Sequence, residues 1–265
     1  MKEIFDKKKS LENALNIKEF KDLNDYLGSN ENILACKPFD ELNNKYILLQ
    51  LKYSHSFSEL SKDVELRSHR REYSRGGLGF HRGYYSPSNL DLVIGGVNRG
   101  KLVQKSVRSK YNYEYIFDLN NKLICVYTYY RNTINADKIE LFIYENDKTL
   151  SLIYDSDHSL NFISECHYDD NNLTKYESAL CDLCYGGNGC TEISVEINTF
   201  ENNMLKQTNW YRYNPSNKLL SQFEYLFSRD SAGLLSTYRV KQIGGYSSPI
   251  SNKYNNPIYN VRIRR

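Results

Sequence analysis

An aromatic residue, a short Asp/Asn-rich stretch and then a leucine recur seven times between Phe117 and Leu234. The copies are Phe117-Asp118…Leu123, Tyr144-Glu145…Leu150, Tyr154-Asp155…Leu160, Tyr168-Asp169…Leu173, Phe200-Glu201…Leu205, Tyr213-Asn214…Leu219 and Phe227…Leu234. Each reads as the end of one strand, a polar turn and the start of the next. Asp and Asn suit such turns because their short side chains bond nearby backbone and tolerate left-handed geometry. A chain that repeats this phrase is committed to a long antiparallel meander. The fold class predicted is mainly β: a large, curved antiparallel sheet with a small N-terminal helical segment.

Around that meander, residues 10–27 read as helical. Ser10 can cap, Leu11, Leu15, Phe20, Leu23 and Leu27 form an apolar stripe, and Gly28 is a stop. Residues 45–54 read as a strand buried on both faces, with a short helix as the alternative. Residues 67–89 are irregular and rich in Gly and Arg, and a strand resumes at 90–97. Strands are then expected at 101–109, 112–118, 122–130, 138–145, 149–155, 160–168, 173–179, 191–200, 204–213, 219–228 and 234–243. The clearest alternation puts Ile193, Val195 and Ile197 on one face, with Glu192, Ser194, Glu196 and Asn198 on the other. So many sequential strands twist and curl. The domain reading is a helical segment at 1–30, a β domain at 31–243 with the basic loop 67–89, and an extended basic tail at 244–265.

Composition narrows the class. Tyr is the dominant aromatic, 24 against 11 Phe and one Trp. It suits first a half-wet sheet face, and secondly a recognition surface. No apolar run reaches the roughly 18 residues of a spanning helix, and Met1–Lys9 lacks a signal-peptide core. A cytoplasmic protein is expected, with no membrane partner. Its six cysteines (36, 125, 166, 181, 184 and 190) then read as thiols, small core residues or metal ligands rather than disulfides. The net charge of +3 hides an asymmetry: residues 67–110 hold seven Arg and three Lys against two acids, or +8, leaving −5 elsewhere.

Within the meander, Tyr-Asn-Pro-Ser-Asn-Lys-Leu at 213–219 and Phe-Asp-Leu-Asn-Asn-Lys-Leu at 117–123 resemble the tyrosine–aspartate (YD) repeats of Rhs-type bacterial toxin shells. The resemblance covers roughly 110–240. A shorter chain built this way is similar to an immunity protein of a bacterial polymorphic-toxin or contact-dependent-inhibition system. That resemblance implies a non-enzymatic partner that neutralises a cognate toxin.

Two constellations could carry chemistry. Cys181-Asp-Leu-Cys184 followed by a Gly-rich run to Cys190, with Cys166 or His167 as a fourth donor, has the ligand types of a structural zinc site. The alternatives are a redox pair or incidental thiols in a hairpin loop, and no other cofactor is expected. The second constellation interleaves Arg67, His69, Arg70, Arg71, Arg75, His81 and Arg82 with Tyr73, Phe80, Tyr84 and Tyr85. Arg binds phosphate bidentately and aromatics stack on bases, so residues 67–110 could take nucleic acid. The same side chains also make protein anchors, for which Arg71, Arg75, Arg82, Tyr84 and Tyr85 are the candidates. His69 and His81 could form a nuclease-like acid–base pair. No serine-hydrolase elbow, phosphate loop, HExxH or dinucleotide fingerprint occurs, so no catalytic residue is assigned. The expected function is inhibition by steric occlusion of a toxin's active site. The competing expectation is an RNA-binding protein or nuclease.

Overall fold

The computed structural model describes residues 23–77, 81–90, 100–104, 111–130, 133–181, 189–245 and 258–260. Residues 23–27 are helical, and two further helices follow: α1 (Asn30–Tyr53) and α2 (Phe57–Arg67). Thirteen strands come next: β1 (Arg70–Arg75), β2 (Lys101–Val103), β3 (Tyr111–Phe117), β4 (Leu123–Tyr130), β5 (Lys138–Glu145), β6 (Lys148–Asp155), β7 (Leu160–Asp169), β8 (Asn172–Cys181), β9 (Cys190–Glu201), β10 (Met204–Asn214), β11 (Leu219–Arg229), β12 (Leu235–Gly245) and β13 (Ile258–Asn260). They form one antiparallel sheet. Strands β3 to β13 pair in sequence order, and β1 is inserted between β2 and β3.

The repeated phrase supplies the turns. Asp170 and Asn171 both have positive φ, as do Asn202 and Asn203, the two-residue geometry that matches strand twist. Longer turns use the carboxylate or amide as a local acceptor. Asp118 takes the N–H groups of Asn120 and Lys122 at 2.9 and 3.0 Å, and Asp230 those of Ala232 and Leu234 at 2.9 and 3.0 Å.

The helical part is longer than the sequence reading gave it, and the sheet begins at Arg70 rather than 31. Residues 45–54 belong to α1, so the strand expected there is corrected to its helical alternative. The apolar run misled because its buried members are Tyr46, Gln50 and Tyr53, at helical spacing, while Leu48 and Leu51 face outward. Ser29 caps α1 by accepting the Asn32 N–H at 3.2 Å. Asn32 Nδ2 then reaches the Lys218 carbonyl at 3.1 Å, and Asp40 accepts from Tyr213 and Lys218. These bonds tie the helix to the β10–β11 turn.

Strand alternation divides the sheet into two faces. The helices cover one, over a core that includes Leu141, Leu152, Tyr154, Ile163, Ile193 and Leu220. The other face carries Tyr113, Tyr115, Phe117 and Phe142, and the segment 81–90 crosses it. Part of the expected first helix (to residue 22), residues 91–97 and 105–109 of expected strands, and 246–257 and 261–265 of the tail lie outside the described residues.

Replacing Asn203 with Val puts a β-branched side chain at φ 59. It is expected to cost about 1–2 kcal/mol in urea denaturation, whereas Asn203→Gly stays near wild type.

Candidate functional site

The segment after β1 positions a buried charged cluster. Arg82 adopts left-handed backbone (φ 64), and Gly83 follows at φ 54. A Cβ on Gly83 would lie 2.5 Å from the Tyr113 ring, so only glycine lets the chain pass. The turn sends the Arg82 side chain into the sheet, where it is 6% exposed. Its Nε donates to Glu140 Oε1 at 2.6 Å, Nη2 reaches Ser164 Oγ at 3.5 Å, and the guanidinium lies 4.6 Å from the Phe142 ring centre. Glu140 also receives Ser151 Oγ and lies 3.0 Å from His81 Nε2. His81 Nδ1 meets the Tyr176 hydroxyl at 2.7 Å. Burial alone would raise the Glu140 carboxyl. The Arg82 charge and His81 outweigh it and hold the group at about 2.

The rest of the segment is fastened in the same way. The Tyr115 hydroxyl donates to the Arg82 carbonyl at 2.9 Å and accepts the Tyr84 N–H at 3.0 Å. Tyr85 packs edge-on against Tyr115 and donates to Glu72 at 2.5 Å. Ser88 donates to Glu196 on β9, and Leu90 is buried against Trp210 and Phe223.

This placement corrects the expected anchor set. Arg82 is internal, and Tyr84 and Tyr85 are half-buried packing residues. Arg71 points to the opposite face of β1 and pairs with Glu114 at 2.7 Å. Arg75 is exposed at the end of β1 and makes no ion pair among the described residues. The five do not form one surface. Arg67 meets Asp63 and Asp118, and Arg70 meets Glu72, so most of the arginines offered to phosphate already hold carboxylates. His69 lies beside the end of β3, its N–H on the Phe117 carbonyl at 2.9 Å, whereas His81 bonds to β5 and β8. The two imidazoles do not flank a common point.

The thiol set also separates. Cys181 and Cys190 are cross-strand partners in the core beneath the helices, while Cys166 packs with Leu173 and Tyr176 on the other face, 4.0 Å from Arg82 Nη1. Cys166 therefore cannot complete a zinc site with them. Cys184 lies outside the described residues. A different grouping, Glu165, His167 and Glu177, brings its ligand atoms within 4.8 Å of one another. The space between the two carboxylates is taken by an ammonium: Lys45 Nζ lies 2.9 Å from Glu165 and 2.8 Å from Glu177, and Lys175 also reaches Glu177. Each glutamate is 2% exposed and they face each other across the β7–β8 pair, so this lysine relieves a buried like-charge contact.

Sequence reasoning missed Lys45, Glu140, Glu165 and Glu177. A charged residue at an alternating position in a strand apolar on both faces, as in Lys138-Ile-Glu140-Leu-Phe142, was the available signal. The helical layer meanwhile exposes large aliphatic side chains: Ile33 (56%), Leu34 (71%), Leu48 (67%), Leu51 (57%) and Leu66 (86%). Beside α1 a groove of about 480 Å³ runs between Phe39, Leu42 and the β9–β10 residues Val195 and Tyr211.

Glu140→Gln leaves Arg82 buried without its counter-charge, and a loss of about 3–5 kcal/mol is expected in denaturation at neutral pH. The sign of the acid dependence follows from a folded pKa depressed from 4.5 to about 2. Its stabilisation is present above pH 4.5 and is lost as pH falls towards 2, so the gap between wild type and Glu140→Gln narrows over that window. Lys45→Met removes the ammonium between Glu165 and Glu177. It is expected to destabilise by about 2 kcal/mol or more, with the deficit shrinking on acidification as one carboxylate takes up a proton.

No family model and no curated protein matches the chain. Among solved structures, a protein of unknown function from Bacteroides fragilis NCTC 9343 is similar over 49% of this chain and 87% of its own, with 14% identity and a TM-score of 0.29.

Proposed function

We propose that this protein is a non-enzymatic inhibitor that binds another protein, acting as an immunity protein in the bacterial cytoplasm and neutralising a cognate toxin domain by covering its active site. The observation that carries the reading is the contrast between two sets of residues. The buried ionisable clusters are closed on themselves: Arg82 and His81 on Glu140, Lys45 and Lys175 on Glu177. Five strongly exposed aliphatic side chains, Ile33, Leu34, Leu48, Leu51 and Leu66, sit on helices α1 and α2, which are braced against the sheet, whereas others, such as Leu119 and Ile134, lie in turns. Closed charge pairs suit a scaffold rather than proton transfer, and exposed apolar side chains on rigid elements suit protein contact. The likeness of the meander to YD-repeat chains supports the same reading. The contact surface proposed is the outward face of α1, with Leu34, Leu48 and Leu51 in place of the arginine-rich segment. Nucleic-acid binding through 67–110 has less support because Arg67, Arg70, Arg71 and Arg82 already have acidic partners.

The test is affinity purification of the protein from its source cells at moderate salt, with mass spectrometry and an A260/A280 reading, followed by co-expression with the captured partner. The expected result is a stoichiometric protein whose toxicity is suppressed by wild type and restored by Leu48→Asp/Leu51→Asp. A nucleic-acid-rich eluate that salt strips away overturns the reading, as does turnover by the purified chain with no partner bound.

A further inference from the structure

Strand alternation alone would not bring two cysteines together at the β8–β9 hairpin. Along β9 the residues facing the helices include Val195 and Ile193, so the next inward position by alternation is 191. A β-bulge changes this. Ala179 pairs with Ile193 and Leu180 with Glu192, but Cys181 pairs with Cys190, which leaves Thr191 as the extra residue. The Thr191 hydroxyl donates to the Leu180 carbonyl at 3.4 Å. The bulge turns Cys190 inward, and both cysteines enter the core beneath the helices, Cys181 at 2% exposure and Cys190 at 5%.

Directly opposed residues of an antiparallel pair have Cα atoms about 4.5–5.5 Å apart, inside the span of roughly 4.4–6.8 Å that a disulfide bridges. The two sulfurs already interact. The Cys181 thiol donates to Cys190, which lowers the Cys190 thiol and raises that of Cys181. One attacking thiolate beside one protonated partner is the arrangement that exchange chemistry uses. The other described cysteines are placed apart. Cys125 on β4 is four strands from β8, roughly 19 Å at the usual strand spacing. Cys166 is on the opposite face beside Arg82, and the Cys36 sulfur rests on the Lys218 carbonyl at 3.4 Å.

We propose that Cys181 and Cys190 are a reversible thiol–disulfide pair, oxidised by a small-molecule disulfide of the glutathione class, whose bond staples the β8–β9 hairpin. The Cys190 thiolate attacks one sulfur of the oxidant, forms a mixed disulfide and expels one thiolate. Cys181 then attacks the Cys190 sulfur of that mixed disulfide and expels the second. One intrachain S–S bond forms and the oxidant's S–S bond breaks. Two electrons pass to the oxidant, and the two cysteine protons end on the two thiols released. Among the described residues the pair is the last rung of the β8–β9 ladder, so local opening admits the oxidant without unpairing the strands. Helix α1 packs on β8 and β9, so the staple fixes the floor on which the helix rests. The pair is internal and independent of the surface proposed for a protein partner.

The full chain is equilibrated under native conditions in glutathione buffers from reducing to oxidising. It is then quenched by alkylation and mapped by mass spectrometry after cleavage between the cysteines. The expected result is loss of two thiols per chain, a Cys181–Cys190 cross-linked peptide and a melting temperature raised by about 5 °C. Dithiothreitol is expected to reverse all three. Cys181→Ser and Cys190→Ser each remove the cross-link and the shift, whereas Cys184→Ser retains both. If a serine variant fails to fold, the wild-type peptide map decides. Persistence of both residues as free thiols in the most oxidising buffer overturns the proposal. A bond from either one to Cys184 or to any other cysteine also overturns it, as does glutathione retained on Cys190, because Cys181 then does not resolve it.

Discussion

The contact between Arg82 and Glu140 is the point at which the polar face of this sheet becomes an interior. A carboxylate on the middle of β5 is costly unless a charge of opposite sign comes to it. The only way for Arg82 to arrive is for the chain to leave β1, turn through a left-handed residue and a glycine, and lie across the neighbouring strands. Once that happens Tyr84, Tyr85, Ser88 and Leu90 meet β3, β1, β9 and β11 in turn. Removing the ion pair would release more than two charges, because it holds the start of the segment 81–90 that lies across the sheet.

The helical side answers the same problem with different chemistry. Here the sheet presents Glu165 opposite Glu177, and the compensating charge comes from α1 through Lys45. The helix is held along its length by apolar packing and at its start by the Asn32 and Cys36 contacts to the Lys218 carbonyl. Both faces thus carry a buried acid on a central strand and a base delivered from outside the sheet. The two cations are not equivalent, since Glu177 also has Lys175 and Glu165 has Lys148 from the sheet itself, whereas Glu140 depends on the segment that carries His81 and Arg82.

Much of this architecture was legible in the residues. The aromatic–Asp/Asn–Leu phrase marks hairpins, and Asp170-Asn171 and Asn202-Asn203 adopt the left-handed turns that their types permit. Alternation at Ile193, Val195 and Ile197 marks the helix-covered face, with Ile193 and Val195 in the core and Ile197 exposed, although Glu196 and Asn198 on the other face are buried as well. The misreadings have a common origin in distance along the chain. The apolar run at 45–54 fits two periods, and only packing against β7 to β11 selects the helical one. The basic stretch looked like a surface because its acidic partners, Glu114, Asp118 and Glu140, come from other strands. Cys166 could not be separated from Cys181 until the strand faces were known, and nothing local in the sequence marked Lys45 as the partner of Glu165 and Glu177.

The order of strands has one further consequence, for how such a chain changes length. From β4 onward every strand pairs only with its sequence neighbours, as repeats do in a solenoid. Loss or duplication of a whole hairpin would leave the remaining ladder in register. The bond from Asn32 to the Lys218 carbonyl, which joins residues 186 apart, acts as a ruler against this freedom. A hairpin inserted between β3 and β10 would move that carbonyl out of reach of the helix, whereas one added after β11 would not. Variation in the size of this architecture is therefore expected at the β12–β13 end.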